Sequence, residues 1–424
     1  MESLIDKFFS RTSNLDYVTQ NIKKISIDTE VDKLFNAINS YSDESELRYV
    51  GGCIRKIINK EKIDDIDLAT NLTPDDVSQA LKKNNINFYE TGIEHGTITA
   101  VINNQKFEIT SLRKDVVTDG RHAKIEFSKD WKEDASRRDF SINSIYSDKE
   151  GNLFDPYEGR KDILAGKIKF IGDAEKRIKE DYLRIVRYVR FFLKYSKNKH
   201  DPRILKKIKI NLEGIKNLSS ERLLDELRKI IRSNGLEHIS KDKESAELLR
   251  LIFPQILKMN SFEKLNEISK KIYLEADFSF LLAVMIIDKT DNADYFIYNF
   301  NIYKKYQKLI KYLDNFYKSK VNKNTFTEKN LVKKLYFDGK ESVLDILNFK
   351  ILTNKKIDQN IIDLKNMLAN KDLPKFPIET KNLMQEYDLV EGKTLGKKLK
   401  LLEEFWVNND FNISKDQINR IIRN

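Results

Sequence analysis

The sequence predicts an α+β chain: a small mixed α/β head followed by a long, all-helical remainder. Three observations carry this. The 424 residues include only 6 Pro and 14 Gly, few breakers for the length, while Lys, Ile, Leu, Asn and Glu recur in long unbroken stretches. Apolar residues keep a helical period up to about residue 46 and again after residue 160. Between Arg48 and Ser147 the period shortens to that of strands.

Residues 1–46 set Leu4, Ile5, Phe8 and Phe9, then Val31, Leu34, Phe35 and Ile38, at helical spacing. This segment is expected to pack on the head. The β-like runs are ELRYVGG, DDIDLAT, HGTITAVI, QKFEITSL and SINSIYSD. One helix interrupts them, PDDVSQALKKN, with Thr73 placed to cap it just before Pro74. RKDVVTDGRHAKIEF, carrying Arg113, Asp115, Asp119, Gly120 and Arg121, reads as a polar loop. Helical spacing then resumes in EDYLRIVRYVRFFLKY, SERLLDELRKII with Ser220 as N-cap, FLLAVMII, NLVKKLYF ending at Gly339, SVLDILNF and GKKLKLLEEFW. There is no fixed-period repeat.

The formal charge of +11 and the pI near 9.1 point to a polyanionic partner. Cys53, the single cysteine, excludes a disulfide framework and a cysteine-built zinc site, and reads as a small packing residue beside the glycines. No apolar run approaches the roughly 18 residues of a membrane span, and no signal-like segment opens the chain. The expectation is a cytoplasmic protein with no membrane association.

Asp65 and Asp67 flank Ile66 in the stretch KIDDIDLAT, which begins ten residues beyond the Gly51-Gly52 pair. On a strand both carboxylates share one face, with Ile66 and Leu68 on the other. In QKFEITSL the apolar face is Phe107 and Ile109, which leaves Glu108 opposite as a third carboxylate on a neighbouring strand. Such acids repel unless a cation lies between them, and oxygen donors of this kind suit Mg²⁺. A cluster of this sort can hold metal ions that activate a hydroxyl and stabilise a leaving oxygen in phosphoryl transfer. A D-x-D alone is common and can equally be a charged edge that blocks aggregation. The glycine turn favours the first reading, because it lets backbone N–H groups approach a triphosphate.

YVGGCIR, DDIDLAT, EHGTITA, FEITSLRKD, VTDGRH, DWKEDASRRDFSINSIY, LFDPYEGRKDI and EDYLRIVRYVRF resemble, in order and spacing, the motifs of class II tRNA nucleotidyltransferases (CCA-adding enzymes) and bacterial poly(A) polymerases of the DNA polymerase beta superfamily. The likeness is nearly continuous over residues 47–240 and returns in KFPIETKNLM and GKTLGKKLKLLEEFW. Lys56 departs from the usual Asp, and Ser141 from the usual Thr.

The resemblance implies a polymerase-beta-like nucleotidyltransferase head at 47–167, a helical neck that reads the base and binds RNA at 168–255, and a body and tail for tRNA at 256–424. It also implies addition of CCA to tRNA from CTP and ATP with Mg²⁺. Asp65 and Asp67 would hold metal, and Glu108 would help deprotonate the 3′-hydroxyl. Gly51, Gly52, Arg55, Arg113, Arg187 and Arg222 would join the nucleotide site. Arg137, Arg138, Asp139 and Asn143 would grip ribose and triphosphate, which agrees with the forked donors that adjacent arginines offer. The polar loop at 113–127 would help convert the pocket from CTP to ATP.

In EDYLRIVRYVRFF, Tyr182, Ile185, Val186 and Val189 form an apolar stripe, while Asp181 and Arg184 lie three apart on another face. An acceptor beside a donor matches the amine and bare ring nitrogen that cytosine and adenine both present. Guanine and uracil present the reverse edge. The ordinary alternative is a helix salt bridge between the two residues. The competing functions are poly(A) synthesis, partial CC or A addition, and non-catalytic RNA binding. No protein partner is implied.

Overall fold

The structure, a computed structural model, describes residues 17–27, 29–119, 122–233, 237, 239, 241–319, 323–354 and 356–423. The expected apolar stripe at Leu4 to Phe9, and Gly120 and Arg121 of the polar loop, lie outside these residues, as do the side chains of Asp115 and Asp119. The chain divides into two compact units, Met1–Pro254 and Gln255–Asn424.

The first unit opens with helices α1 (residues 17–26) and α2 (Glu30–Asn39), the latter burying Val31, Leu34, Phe35 and Ile38 as their spacing predicts. The head then runs β1 (Leu47–Val50), α3 (Gly52–Ile58), β2 (Asp67–Thr70), α4 (Pro74–Lys83), β3 (Asn87–Gly92), β4 (Thr97–Ile102), β5 (Gln105–Ser111), β6 (Arg113–Asp119), β7 (His122–Phe127), α5 (Trp131–Arg137), β8 (Tyr146–Ser147), β9 (Leu153–Phe154) and α6 (Gly159–Ala165). Among the described residues the main sheet has the order β3-β4-β5-β2-β1-β8-β9. All its pairings are antiparallel except β2 with β5, whose parallel register sets Asp67 directly beside Glu108. Thr73 caps α4, accepting from Asp76 N.

Several expectations change. The polar loop at 113–127 is a β-hairpin, β6 with β7. SINSIYSD yields only the two-residue β8, because Ser141–Asn143 turn as a 3₁₀ helix beforehand. β2 starts at Asp67, so Asp65 lies in extended chain ahead of the strand. The neighbour β1 ends at Val50, and its last partner on β2 is Leu68 opposite Tyr49.

Helices follow: α7 (Ala174–Glu180), α8 (Leu183–Tyr195), α9 (Pro202–Ile210), α10 (Ser220–Ile231) and α11 (Lys243–Ile252). The N-cap of α10 is Ser219, one residue before the expected Ser220. The second unit is helical from Glu267–Glu275 to Lys415–Arg423. Its Phe278–Ile286 helix is buried at every position, and Gly339, at φ +86°, separates Glu328–Asp338 from Lys340–Thr353. No helix among the described residues is long and apolar enough to cross a membrane.

Candidate active site

The site begins at the turn from β1 into α3. Gly51 adopts φ +65°, which favours glycine, and a Cβ there would sit in ordinary contact, 3.5 Å from both Arg138 Nη1 and the Asn143 carbonyl. On Gly52 a Cβ would lie 3.4 Å from Asp67 Oδ2, which places that carboxylate against the turn. Cys53 is fully buried and donates to the Val50 carbonyl at 3.3 Å; burial and the nearby Asp67 charge push its thiol up to about 12. It packs, as expected, and is no nucleophile.

Around this turn opens a cavity of about 380 Å³. It gathers Gly51, Gly52, Arg55, Asp67, Arg137, Arg138, Asp139, Asn143, Asp181, Arg184 and Arg187, all singled out in the sequence. It adds Arg190 and Phe191. Arg184, Arg187 and Arg190 recur every third residue on α8, a signal legible in EDYLRIVRYVR. Asp65, Glu108, Arg113 and Arg222 are not in its lining.

The arginines are held by acids, Asp134 on their own helix for Arg137 and Arg138 and acids from other elements for those on α8. Buried Asp134 on α5 binds Arg137 at 2.7 Å and Arg138 at 3.1 Å, and accepts from Tyr146 at 2.6 Å and from the Arg113 amide at 3.3 Å. Burial pushes the Asp134 pKa up, but the two guanidiniums outweigh it and hold the carboxyl at about 2. Asp139 behaves alike: burial opposes ionisation, Arg187 and Asn143 overcome it, and the group sits at about 2. Its oxygens accept from Asn143 Nδ2 and the Phe140 amide at 2.9 Å each and from Arg187 Nε at 2.6 Å. That leaves about one acceptor position for a sugar hydroxyl. Arg55 donates to Asn143 Oδ1, and Glu226 on α10, 2% exposed, binds Arg187 at 3.4 Å and Arg190 at 2.6 Å. A hydrogen-bond chain thus runs from α3 to α10 through Asn143, Asp139 and Arg187. Arg138 pairs with Asp134 and Asp139 with Arg187, because Arg138 sits one turn from Asp134 while α8 brings Arg187 across.

Asp181 and Arg184 do not share one helix face. The helix breaks between them: Asp181 is the extended C-cap of α7, and α8 starts at Leu183. The Asp181 carboxylate accepts from the Leu183 amide at 3.1 Å, a local bond that competes with a continuous helix. Its other oxygen accepts from Arg222 Nη2 at 2.7 Å. Arg184 is buried and uses three of its five donors, on the Arg177 carbonyl (2.8 Å), Glu180 (2.7 Å) and the Arg137 carbonyl (3.2 Å). The helix salt bridge between the two is therefore not formed, and each still lines the cavity. Ile185, Val186 and Val189 are fully buried, whereas Tyr182, expected in that stripe, is half-buried with its ring against Gly214. Leu183 takes its place inside.

On the other side of the turn, Asp67 is half-buried and its pKa is raised, mainly by burial and in part by the Asp65 charge. Asp65 and Glu108 are exposed. Among the described residues no group of three acids, histidines or cysteines is placed to hold a metal, so Glu108 does not close a three-carboxylate cluster with the aspartates. The two aspartates suffice for a hard divalent cation, which commonly takes one or two carboxylates and completes its shell with water and phosphate oxygens. A cation there would also offset the charge that burial disfavours on Asp67.

Comparison with known proteins fits this geometry. The family model described as poly A polymerase head domain matches residues 47–169, and that described as probable RNA and SrmB-binding site of polymerase A matches residues 199–259. The CCA tRNA nucleotidyltransferase 1, mitochondrial, of Homo sapiens is 32% identical over 395 residues, 89% of this chain and 86% of that protein. The CCA-adding enzyme of Staphylococcus haemolyticus is 35% identical over 193 residues, 45% of this chain and 47% of that protein. The fold matches the crystal structure of the Bacillus stearothermophilus CCA-adding enzyme in complex with CTP with a TM-score of 0.71 at 20% identity, covering 93% of this chain and 96% of that one. The chain belongs to the family of CCA-adding tRNA nucleotidyltransferases.

Proposed function

We propose that this enzyme adds CCA to the 3′ end of tRNA from CTP and ATP without a nucleic-acid template, and that the cavity at the Gly51-Gly52 turn is where it does so. The observation that carries this is the convergence of the glycine turn, Asp67, six arginines and the Asp181–Arg184 pair on one cavity. Arg137, Arg138, Arg187 and Arg55 hold the triphosphate, and Asp139 and Asn143 orient the ribose. Asp181 and Arg184 meet the amine and ring nitrogen shared by cytosine and adenine, with Arg222 steadying the Asp181 carboxylate. Arg113 anchors the base of the β6–β7 hairpin, its guanidinium donating to the His95 carbonyl.

Enzymes of this family generally use a divalent metal. Asp65 and Asp67 are the residues to hold it, and magnesium, with its preference for carboxylate and phosphate oxygens, is the ion we assign. When bound, such an ion lowers the cost of the charge that develops on the reacting oxygens. The 3′-oxygen of the tRNA attacks the α-phosphorus, the bond to the β-phosphate breaks, and pyrophosphate leaves. Glu108, beside Asp67 in register and open to solvent, takes the hydroxyl proton.

We divide the labour along the chain as head (47–167), neck (168–255) and body with tail (256–424), the N-terminal 1–46 supporting the head. The basic surface holds tRNA through phosphate contacts. A cytoplasmic location rests on the lone, buried Cys53, and fractionation of the tagged chain tests it. The function is tested by incubating the enzyme with tRNA lacking CCA and with CTP, ATP or both, then sequencing the 3′ ends. CCA is the expected product; poly(A), CC alone, a single A or an unchanged end each replaces the proposal with a named alternative.

A further inference from the structure

Residues 61–66 lead from α3 to β2 and belong to no helix or strand, yet they carry Asp65. What fixes an acid on such a segment has to come largely from side chains. Two ion pairs grip it. Near its start Glu61 accepts from Lys194 Nζ at 2.7 Å and from the Tyr195 hydroxyl at 3.5 Å, both on α8. Next to Asp65, Asp64 Oδ2 accepts from Lys56 Nζ at 2.8 Å, across from α3. The Lys56 side chain is 16% exposed and that of Asp64 63%, so the lysine is packed in place and the aspartate comes to it. Lys56 is one of the two positions that depart from the resembled pattern; an acid there would set two carboxylates against each other.

We propose that the Lys56–Asp64 pair is a pin that sets where Asp65 stands, making Lys56 a positioning residue for the divalent-ion site. This rests on the assignment of Asp65 and Asp67 as the ion's ligands. Two roles for Lys56 give opposite signs. If it acts by its charge alone, removing a cation near the aspartates tightens divalent-ion binding. If it acts as a pin, removal lets the segment wander and binding weakens.

The measurement is Mn²⁺ binding to the intact protein without nucleotide, followed by electron paramagnetic resonance of the free ion, with thermal melts alongside. Lys56→Met is expected to raise the Mn²⁺ Kd about two- to fivefold, the range of a partly exposed ion pair. The exchange Lys56→Asp with Asp64→Lys, which keeps the net charge and reverses the pair, is expected to return the Kd to within about twofold of the parent, while Lys56→Asp alone does not. Unchanged or tighter binding by folded Lys56→Met overturns the pin, and so does an exchange no better than Lys56→Asp. Should Lys56→Met fail to fold, the exchange decides alone. Asp67→Asn separates the two layers: if it binds Mn²⁺ like the parent, the ligand assignment itself falls and the pin with it. Loss of binding in Asp67→Asn with no effect at Lys56 removes the pin alone.

Discussion

The two sides of the Gly51-Gly52 turn are built on opposite plans. On one side Arg137, Arg138, Arg184, Arg187 and Arg190 are each clamped by an acid, namely Asp134, Glu180, Asp139 or Glu226. On the other, Asp65 and Glu108 stand in solvent, and Asp67 carries a charge that its half-buried position disfavours. The guanidinium side is held in place by the protein alone, so under the proposed function phosphate oxygens would meet donors already set and little reorganisation would follow. The carboxylate side is left unfinished and is completed by what binds. Folding stability and chemistry are thereby assigned to different walls of the same site.

That division can be broken most directly at Asp67. Asp67→Ala is expected to cut nucleotide incorporation by at least about a thousandfold, the several kcal/mol that an ion-assisted step supplies. The melting temperature should hold or rise, because an acid whose pKa is raised in the fold is a net cost once ionised. A large drop in Tm would mean that the carboxylate wall is also structural.

The converse holds for Asp134. Asp134→Ala leaves two arginines without their buried partner and is expected to cost about 3–5 kcal/mol, read as a fall in denaturation midpoint. Unchanged stability would show that the clamps do not hold the fold. A related, smaller effect comes from acid. Asp134 and Asp139 lie at about 2 in the fold, against about 3.9 for a free aspartate. Groups depressed in this way add stability above the unfolded value and lose it as pH falls through the folded one. Melts should therefore worsen between about pH 4 and pH 2, and Asp139→Asn should flatten that slope.

The mildest change tests the residue between the two walls. Asp181→Ala is expected to lower kcat/KM for CTP and ATP by roughly ten- to a hundredfold and to narrow the CTP-to-UTP ratio. If the ratio is unchanged in a folded variant, Asp181 serves only to receive Arg222.

Much of the site was legible because it lies in short runs. The glycine turn, the Asp67 strand and the paired arginines each follow from a few adjacent residues, and Thr73 and Gly339 bounded their helices as their chemistry requires. What escaped the sequence depends on partners far along the chain or on breaks without a marker. Nothing near Asp139 tells that its cation is Arg187, 48 residues on, rather than the adjacent Arg138. The apolar spacing runs unbroken through residues 178–192 with neither Pro nor Gly, so the joint at Asp181, made by one side chain bonding to a nearby amide, left no periodic trace. The β6–β7 hairpin was hidden by its polar composition.

The packing of Tyr182 on Gly214 has a consequence for inheritance. A single methyl group at position 214 would fall 2.0 Å from the tyrosine ring and has to displace it. Tyr182 is the residue between Asp181 and the start of α8, so the displacement passes to the base-reading joint. A Gly214 substitution, on a turn after α9 and absent from the cavity lining, is then expected to surface as mis-inserted nucleotides, which sequencing of the added 3′ ends would register. Position 214 is closed to drift by the same hydrogen atom that leaves the tyrosine its room.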